Sequence, residues 1–202
     1  TVTAADNAQP LPNVTVRLYQ TITSTSALAT ANTNASGIYQ FNNLDPNTYY
    51  LRFTPSTSIS PTWYYFEQYY GNVPTLLEST PITVPVSTTV TADAALDKGG
   101  VIRGVVTAED TAQPLENTTV YLYTNRYGSA STSANTILGA YEFRQLPVGE
   151  VYLEFRTTQF LGSASRGYLS EFYNDQKALH LATPIPTTLN APDTLISPAL
   201  TR

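Results

Sequence analysis

Gly99-Gly100-Val101-Ile102-Arg103-Gly104-Val105-Val106-Thr107-Ala108-Glu109-Asp110-Thr111-Ala112-Gln113-Pro114-Leu115 opens the second half of the chain, and its closing part has already occurred once, as Val2-Thr3-Ala4-Ala5-Asp6-Asn7-Ala8-Gln9-Pro10-Leu11. A recurrence at this distance marks two copies of one unit of roughly a hundred residues, each large enough for a core of its own. The copies are read as residues 1–98 and 99–202, with Asp97-Lys98-Gly99-Gly100 as a short join. What the chain does has to be sought in what both copies keep.

The composition points to strands and turns. Of the residues, 42% are hydrophobic but only 12% are charged, and the 14 Pro, 10 Gly and 15 Tyr sit among many Ser, Thr and Asn. β-Branched and aromatic residues pack on pleated faces, while Gly, Pro, Asn and Asp supply turns, so the chain reads as all-β. The formal net charge is −5 and the lysines are Lys98 and Lys177, which leaves no basic patch to neutralise phosphates and argues against nucleic acid. There are no cysteines, so disulfides and thiolate metal sites are excluded. No apolar run approaches the ~20 residues of a membrane helix. Thr1 falls inside a pattern and no signal peptide is visible, so upstream sequence is expected to have been trimmed from the chain.

Along the first copy, Val14, Val16 and Leu18 alternate with Thr15, Arg17 and Tyr19, the period of a half-buried strand; Val120 and Leu122 take the same places in the second. Two Ser/Thr/Asn-rich stretches, Thr21 to Asn34 and Ser129 to Thr136, read as loops or exposed edge strands. Then Gly37-Ile38-Tyr39-Gln40-Phe41 answers Gly139-Ala140-Tyr141-Glu142-Phe143, each a strand whose Tyr and Phe face the core before a Leu-containing turn. Returning strands follow at Tyr49 to Phe53 and Val151 to Phe155, with Leu51, Phe53, Leu153 and Phe155 pointing inward. An aromatic segment comes next in each copy, Trp63 to Asn72 and Gly167 to Asp175, read as a short helix or a loop lying on the sheet. Closing strands are expected between Thr88 and Leu96 and between Thr187 and Ile196.

These residues resemble the carboxypeptidase regulatory-like domains, close to transthyretin and to the B-type repeats of adhesins, as found in secreted bacterial or archaeal surface proteins. The resemblance rests on Gly100-Val101-Ile102-Arg103-Gly104-Val105-Val106-Thr107, the Gln-Pro-Leu turn before Val14-Thr15-Val16 or Thr118-Thr119-Val120, the Gly-x-Tyr-x-Phe-x-x-Leu run, and the aromatic segment ending in Tyr69-Tyr70-Gly71-Asn72 or Phe172-Tyr173-Asn174. It implies two tandem immunoglobulin-like or transthyretin-like Greek-key β-sandwiches of seven strands, used as stalk, spacer or adhesive units, without enzyme activity. Adhesin B-type repeats often carry a Lys to Asn or Asp isopeptide bond. Here the first copy has no lysine before Lys98, and Lys98, with Asn190 or Asp193 as formal partners, is expected to be solvated instead.

One departure concerns the start of the chain. Thr1 aligns with Val105, so the first copy lacks the counterpart of Gly100 to Gly104, the first half of its opening strand. An incomplete sheet exposes unpaired backbone groups and apolar side chains. Two readings follow: upstream residues complete the copy, or a neighbouring molecule donates the strand.

Catalytic chemistry finds little footing. The single histidine, His180, aligns with Leu77, so that position is not built around an imidazole and reads as surface; no second histidine exists for a triad or a zinc site. Glu67 and Glu171 fall one place out of register when Tyr70 is set on Tyr173, which gives no paired-carboxylate cleft. Asp6 and Asp110 do align, but calcium needs six to eight oxygens, and an aspartate capping its own turn is the simpler reading. No cofactor is expected, calcium being the one ion kept open. The best candidates for recognition are Trp63, Tyr64, Tyr65, Tyr69, Tyr70, Tyr168, Phe172 and Tyr173, which could stack on sugars or anchor a protein partner but equally could roof the sandwich. Asn13, Asn34 and Asn117 stand in glycosylation sequons. The expected role is a non-catalytic extracellular or cell-surface module, a filament, stalk or adhesive subunit whose partners are its own kind; the alternative is an accessory carbohydrate- or protein-binding module.

Overall fold

A computed structural model describes residues 1–59, 61–157 and 166–202. These divide into two units, Thr1–Gly99 and Gly100–Arg202.

The first unit is built from β1 (Val2–Ala4), β2 (Thr15–Tyr19), β3 (Ala29–Asn32), β4 (Asn47–Thr54), β5 (Gln68–Tyr69), β6 (Ile82–Val84) and β7 (Ala94–Leu96). β2 is central because its period of two buries Val16 and Leu18 on one face; it pairs antiparallel with β3 and β4, Val16 opposite Phe53 and Leu18 opposite Leu51. β4 carries β5 beside one end and β6 beside the other. Across from this sheet, β1 and β7 run parallel, Ala4 opposite Leu96. Val2, Ala4 and Leu96 from that side meet Val16, Leu18, Tyr49, Leu51 and Phe53 from the main sheet in one core.

The second unit repeats the plan with β8 (Gly100–Val105), β9 (Thr107–Ala108), β10 (Thr119–Tyr123), β11 (Thr132–Asn135), β12 (Ala140–Leu146), β13 (Gly149–Arg156), β14 (Glu171–Phe172), β15 (Ile185–Thr187), β16 (Thr194–Leu195) and β17 (Ala199–Leu200). Its main sheet runs β11, β10, β13 and β14, with β15 on the other end of β13. The facing layer differs from that of the first unit. β8 lies between β12, antiparallel, and β16, parallel, while β9 pairs with β17 as β1 does with β7.

The turn around Gln-Pro-Leu is held identically in both units. Buried Thr33 donates its hydroxyl to the Leu11 carbonyl (2.6 Å) and accepts from the Val14 amide (2.9 Å), and Thr136 does the same with Leu115 (2.7 Å) and Thr118 (3.1 Å). A buried hydroxyl that satisfies two backbone groups removes the cost of burying that turn.

Four expectations are corrected. Residues 38–44 of the first unit form no strand, whereas their counterparts form β12; the reason is that β8 has no equivalent among residues 1–99 for them to pair with. The closing segments contribute only the short β7 in one unit and β16 and β17 in the other, and the sequence reading missed β6 and β15, whose prolines at 81 and 186 obscure the alternation. The aromatic segments are not simply a short helix or a loop: the first does hold a short 3-10 helix at Thr62–Tyr64, but each also contributes a two-residue strand, β5 or β14. Lys98 is not simply solvated. It is half-buried, pairs through its backbone with Tyr65, and holds its ammonium 5.8 Å from the centre of the Tyr64 ring, while Asp193, one formal isopeptide partner, is bridged to Arg103 at 3.1 Å.

Candidate functional site: an open strand groove

Because no described strand pairs with residues 38–46 or 85–93, a cleft of about 770 Å³ opens in the first unit. One wall is Ile38–Leu44, the other Val84–Asp93, and Leu18, Tyr49, Leu51 and Ile82 form the floor. In the second unit the equivalent space is filled by β8, whose Ile102 is fully buried in the core.

Burial shows what that strand does. Tyr141, Phe143 and Leu146 are buried at 5%, 5% and 6% exposure, and Ile185, Thr187 and Ile196 are buried with them. The counterparts in the first unit, Tyr39, Phe41, Leu44, Ile82, Val84 and Ala92, are only half-buried, although they turn toward the same core. The ring contacts are nevertheless the same. Tyr39 meets Phe41 and Phe53 edge-on at 6.0 and 5.9 Å between centroids, as Tyr141 meets Phe143 and Phe155 at 6.0 and 5.8 Å. The Tyr39 hydroxyl donates to the Ala92 carbonyl and the Tyr141 hydroxyl to that of Ile196 (2.6 Å), so the same bond ties wall to wall in both units. Burial first, and then Asp93 and Tyr70, raise the Tyr39 phenol above its ordinary range, which keeps it a donor at any working pH.

The end of the groove is marked by Thr1. In the second unit the Val105 amide donates to Ser197 Oγ at 3.2 Å; in the first, the Thr1 nitrogen and hydroxyl both donate to Asp93, which stands in the place of Ser197. A strand laid in the groove in the register of β8 would therefore lead directly toward Thr1.

The aromatic residues singled out from the sequence are placed mostly in packing roles. Tyr65 is buried and donates to Asp6 Oδ1 (3.0 Å); Tyr168 is buried and donates to Asp110 Oδ1 (2.7 Å), with Arg202 over its ring at 4.8 Å. Trp63 meets Tyr64 edge-on at 5.9 Å, and both are half-buried. Tyr69 lies in β5 beneath the Arg52 guanidinium (5.8 Å), Tyr70 packs on the first core, Phe172 lies in β14 against Tyr123 (6.0 Å), and Tyr173 packs on the second core. They do not form one exposed platform within either unit.

Asp6 and Asp110 thus serve tyrosine hydroxyls rather than their own turns, which corrects the capping reading. Asn7 Oδ1 and Thr111 Oγ1 accept from the amides of Gln9 and Gln113 instead. Among the described residues no three His, Asp or Glu side chains converge as a metal site. Glu67 pairs with Arg52 at 2.6 Å, and His180 is exposed, with its carbonyl accepting from Arg126. Asn13, Asn34 and Asn117 are all exposed; Asn34 Oδ1 accepts from the amides of Ser36 and Ile38.

The groove, not the aromatics, is what the sequence reading had only as an incomplete strand. Its signal was the alignment of Thr1 with Val105; its shape depends on segments far apart in sequence, residues 38–44 and 84–93, meeting in the fold.

Each unit defines the same class: an all-β sandwich of short strands in which opening strands run parallel to closing ones, β1 with β7 in one unit and β8 with β16 and β9 with β17 in the other. Residues 3–67 match the SdrD B-like domain family, the adhesin B-type repeat toward which the sequence resemblance pointed. No curated protein matches the chain. Among solved structures, similarity is found to the Bacillus anthracis TIE protein (13% identity, TM-score 0.39, 100% of this chain and 33% of that one), a streptococcal ancillary pilin (14%, 0.39, 100% and 60%) and the minor pilin GBS52 of Streptococcus agalactiae (15%, 0.35, 97% and 85%). The chain therefore spans a third of the first and 60% of the second.

Proposed function

We propose that this chain is a non-catalytic structural module of a cell-surface protein, part of a filament, stalk or adhesive subunit, whose first unit is completed by a β-strand lying outside these residues, either earlier in the same polypeptide or donated by a neighbouring molecule. The observation that carries this reading is the pair of matched walls. The same residues are buried where β8 is present and half-buried where its equivalent is absent, and apolar surface of this kind is stabilised by strand addition, with main-chain bonds giving affinity and alternate side chains giving selectivity. The SdrD B-like match of residues 3–67 supports a surface role. No helix among the described residues is long and apolar enough to cross a membrane.

The test is electron microscopy and sedimentation of the protein as its source releases it, beside a variant with Phe41→Glu in the groove wall. Regular filaments or multimers that the variant loses are expected. A wild-type protein that stays monodisperse and monomeric at high concentration, with the groove still open, overturns the assembly reading.

A further inference from the structure

We infer that the free edge of each main sheet, β3 in the first unit and β11 in the second, is a docking edge for a second copy of this chain, like strand against like strand and antiparallel. Each main sheet ends there: no described strand pairs with the outer side of β3 or of β11. The second unit, whose facing layer includes β8, leaves β11 as free as β3. The open edge therefore belongs to the repeat itself and is separate from the groove and from whatever strand completes the first unit.

An unpaired edge is ordinarily blunted by charge, proline, a bulge or shortness. Other edges of this protein follow that rule. β12 carries Glu142 and Arg144 and a shift of register between Phe143 and Leu146, β6 lies between Pro81 and Pro85, β15 contains Pro186, and β5 and β14 are two residues long. β3 and β11 have none of these devices. Each keeps an unbroken register of four pairs; no charged residue falls between Arg17 and Asp45 or between Arg126 and Glu142, and no proline between Pro12 and Pro46 or between Pro114 and Pro147. Arg17, opposite Thr30, turns away from the edge and donates to Thr54 Oγ1 at 2.9 Å. In a chain of net charge −5, an uncharged edge is where two copies meet without like-charge repulsion.

The register also makes the edge complementary to itself. The Thr33 amide donates to the Val14 carbonyl at 3.0 Å, and orientation alternates along a strand, so Ala31 directs its amide and carbonyl toward β2 while Thr30 and Asn32 direct theirs outward. A second β3 laid antiparallel pairs Thr30 with the other copy's Asn32 and Asn32 with its Thr30 through main-chain bonds, and sets Ala31 opposite its own equivalent, at the closer kind of pair, where a small side chain fits. Asn32 is oriented for this contact. Thr15 Oγ1 donates to Asn32 Oδ1 at 2.9 Å, which leaves the Nδ2 donors for the Thr30 hydroxyl of the second copy. The second unit keeps the arrangement, with Thr119 donating to Asn135 at 2.8 Å and Ser133 and Ala134 in the places of Thr30 and Ala31.

Because the chain has no cysteine, A31C reports the pairing directly. Two Cα atoms at such a pair lie about 4.5 Å apart, within the range that a disulfide spans. Under mild oxidation A31C should form disulfide-linked dimers at least about tenfold faster than T75C, a cysteine at another exposed position. Adding T30P, which removes an outward amide and no bond to β2, should bring the rate down to that of T75C. T30K, which sets two lysines on neighbouring diagonal positions, should do the same without touching the backbone. A31C that cross-links no faster than T75C overturns the inference. So does a rate that T30P and T30K both leave unchanged, since chance collision and not strand pairing would then set it. If A31C links faster to A134C than to itself, β3 meets β11 and the like-to-like pairing is overturned.

Discussion

Gln68 and Glu171 hold the same place, opposite Phe53 in the β4–β5 pair and opposite Phe155 in the β13–β14 pair, and both are nearly buried. Gln68 uses both ends of its amide there: Nε2 donates to the Ala95 carbonyl (3.0 Å) and Oε1 accepts from the Asp97 amide (3.2 Å). An ionised carboxylate can only accept, so the second unit has the less suitable group unless it keeps a proton. Burial, reinforced by Asp175 and Glu109, pushes the Glu171 carboxyl up to about 7. A carboxyl whose folded pKa lies above its unfolded value of 4.5 binds more protons in the folded state between those two values, so its contribution to stability is present at the acid end and is lost as pH rises toward 7. E171Q should remove that dependence. Compared with wild type by denaturant unfolding across this range, the variant's stability advantage should grow from pH 4.5 to 7 and level off above; a difference that stays constant with pH would show that Glu171 does not titrate there. The register of Glu171 against Gln68 was legible, since Glu67 and Glu171 align one place apart. The raised carboxyl was not, because Asp175 and Glu109 approach it only in the fold.

At the scale of elements, the glycines that open the Tyr-x-Phe runs are as demanding as the strands. Gly139 has φ +75°, its carbonyl accepts from the Val106 amide at 2.9 Å, and an added Cβ would lie 2.8 Å from both Pro114 Cβ and the Val106 carbonyl oxygen. G139A should cost roughly 1–3 kcal/mol, measured as a shift of the chemical-denaturation midpoint, because the residue can relieve neither the left-handed backbone nor the close approach. An unchanged midpoint would mean that the turn can move aside. Such positions were readable in the sequence as a Gly before an alternating run, as were β2, β4, β10 and β13, whose inward residues Val16, Leu18, Leu51, Phe53, Val120, Leu122, Leu153 and Phe155 are all buried. Residues 38–44 were readable only in half. Their alternation correctly gave the core-facing side of Tyr39 and Phe41, but a ladder also needs a partner, and pairing is a property of two segments. The aromatic segments misled for a related reason. Tyrosine serves a core, a roof and a binding face equally well, and the hydroxyl bonds from Tyr65 to Asp6 and Tyr168 to Asp110 span 59 and 58 residues.

For the whole molecule, two separate cores with unequal cover imply unequal stability. The first core closes around Phe53 and the second around Phe155, and among the described residues only the second has a strand lying over its Tyr-x-Phe wall. Apolar surface left in water contributes no hydrophobic stabilisation, so the first unit should unfold at the lower temperature. Calorimetry of the intact chain should resolve two transitions on this basis. Phe→Ala at a fully buried site costs about 3–5 kcal/mol, and Phe53 and Phe155 are both fully buried. F53A should therefore depress the lower transition and leave the upper one in place, while F155A should bring the upper one down toward it. The opposite assignment, with F155A acting on the lower transition, would mean that the open groove is not the weak point of the chain and that the covered unit draws less stability from β8 than its burial suggests.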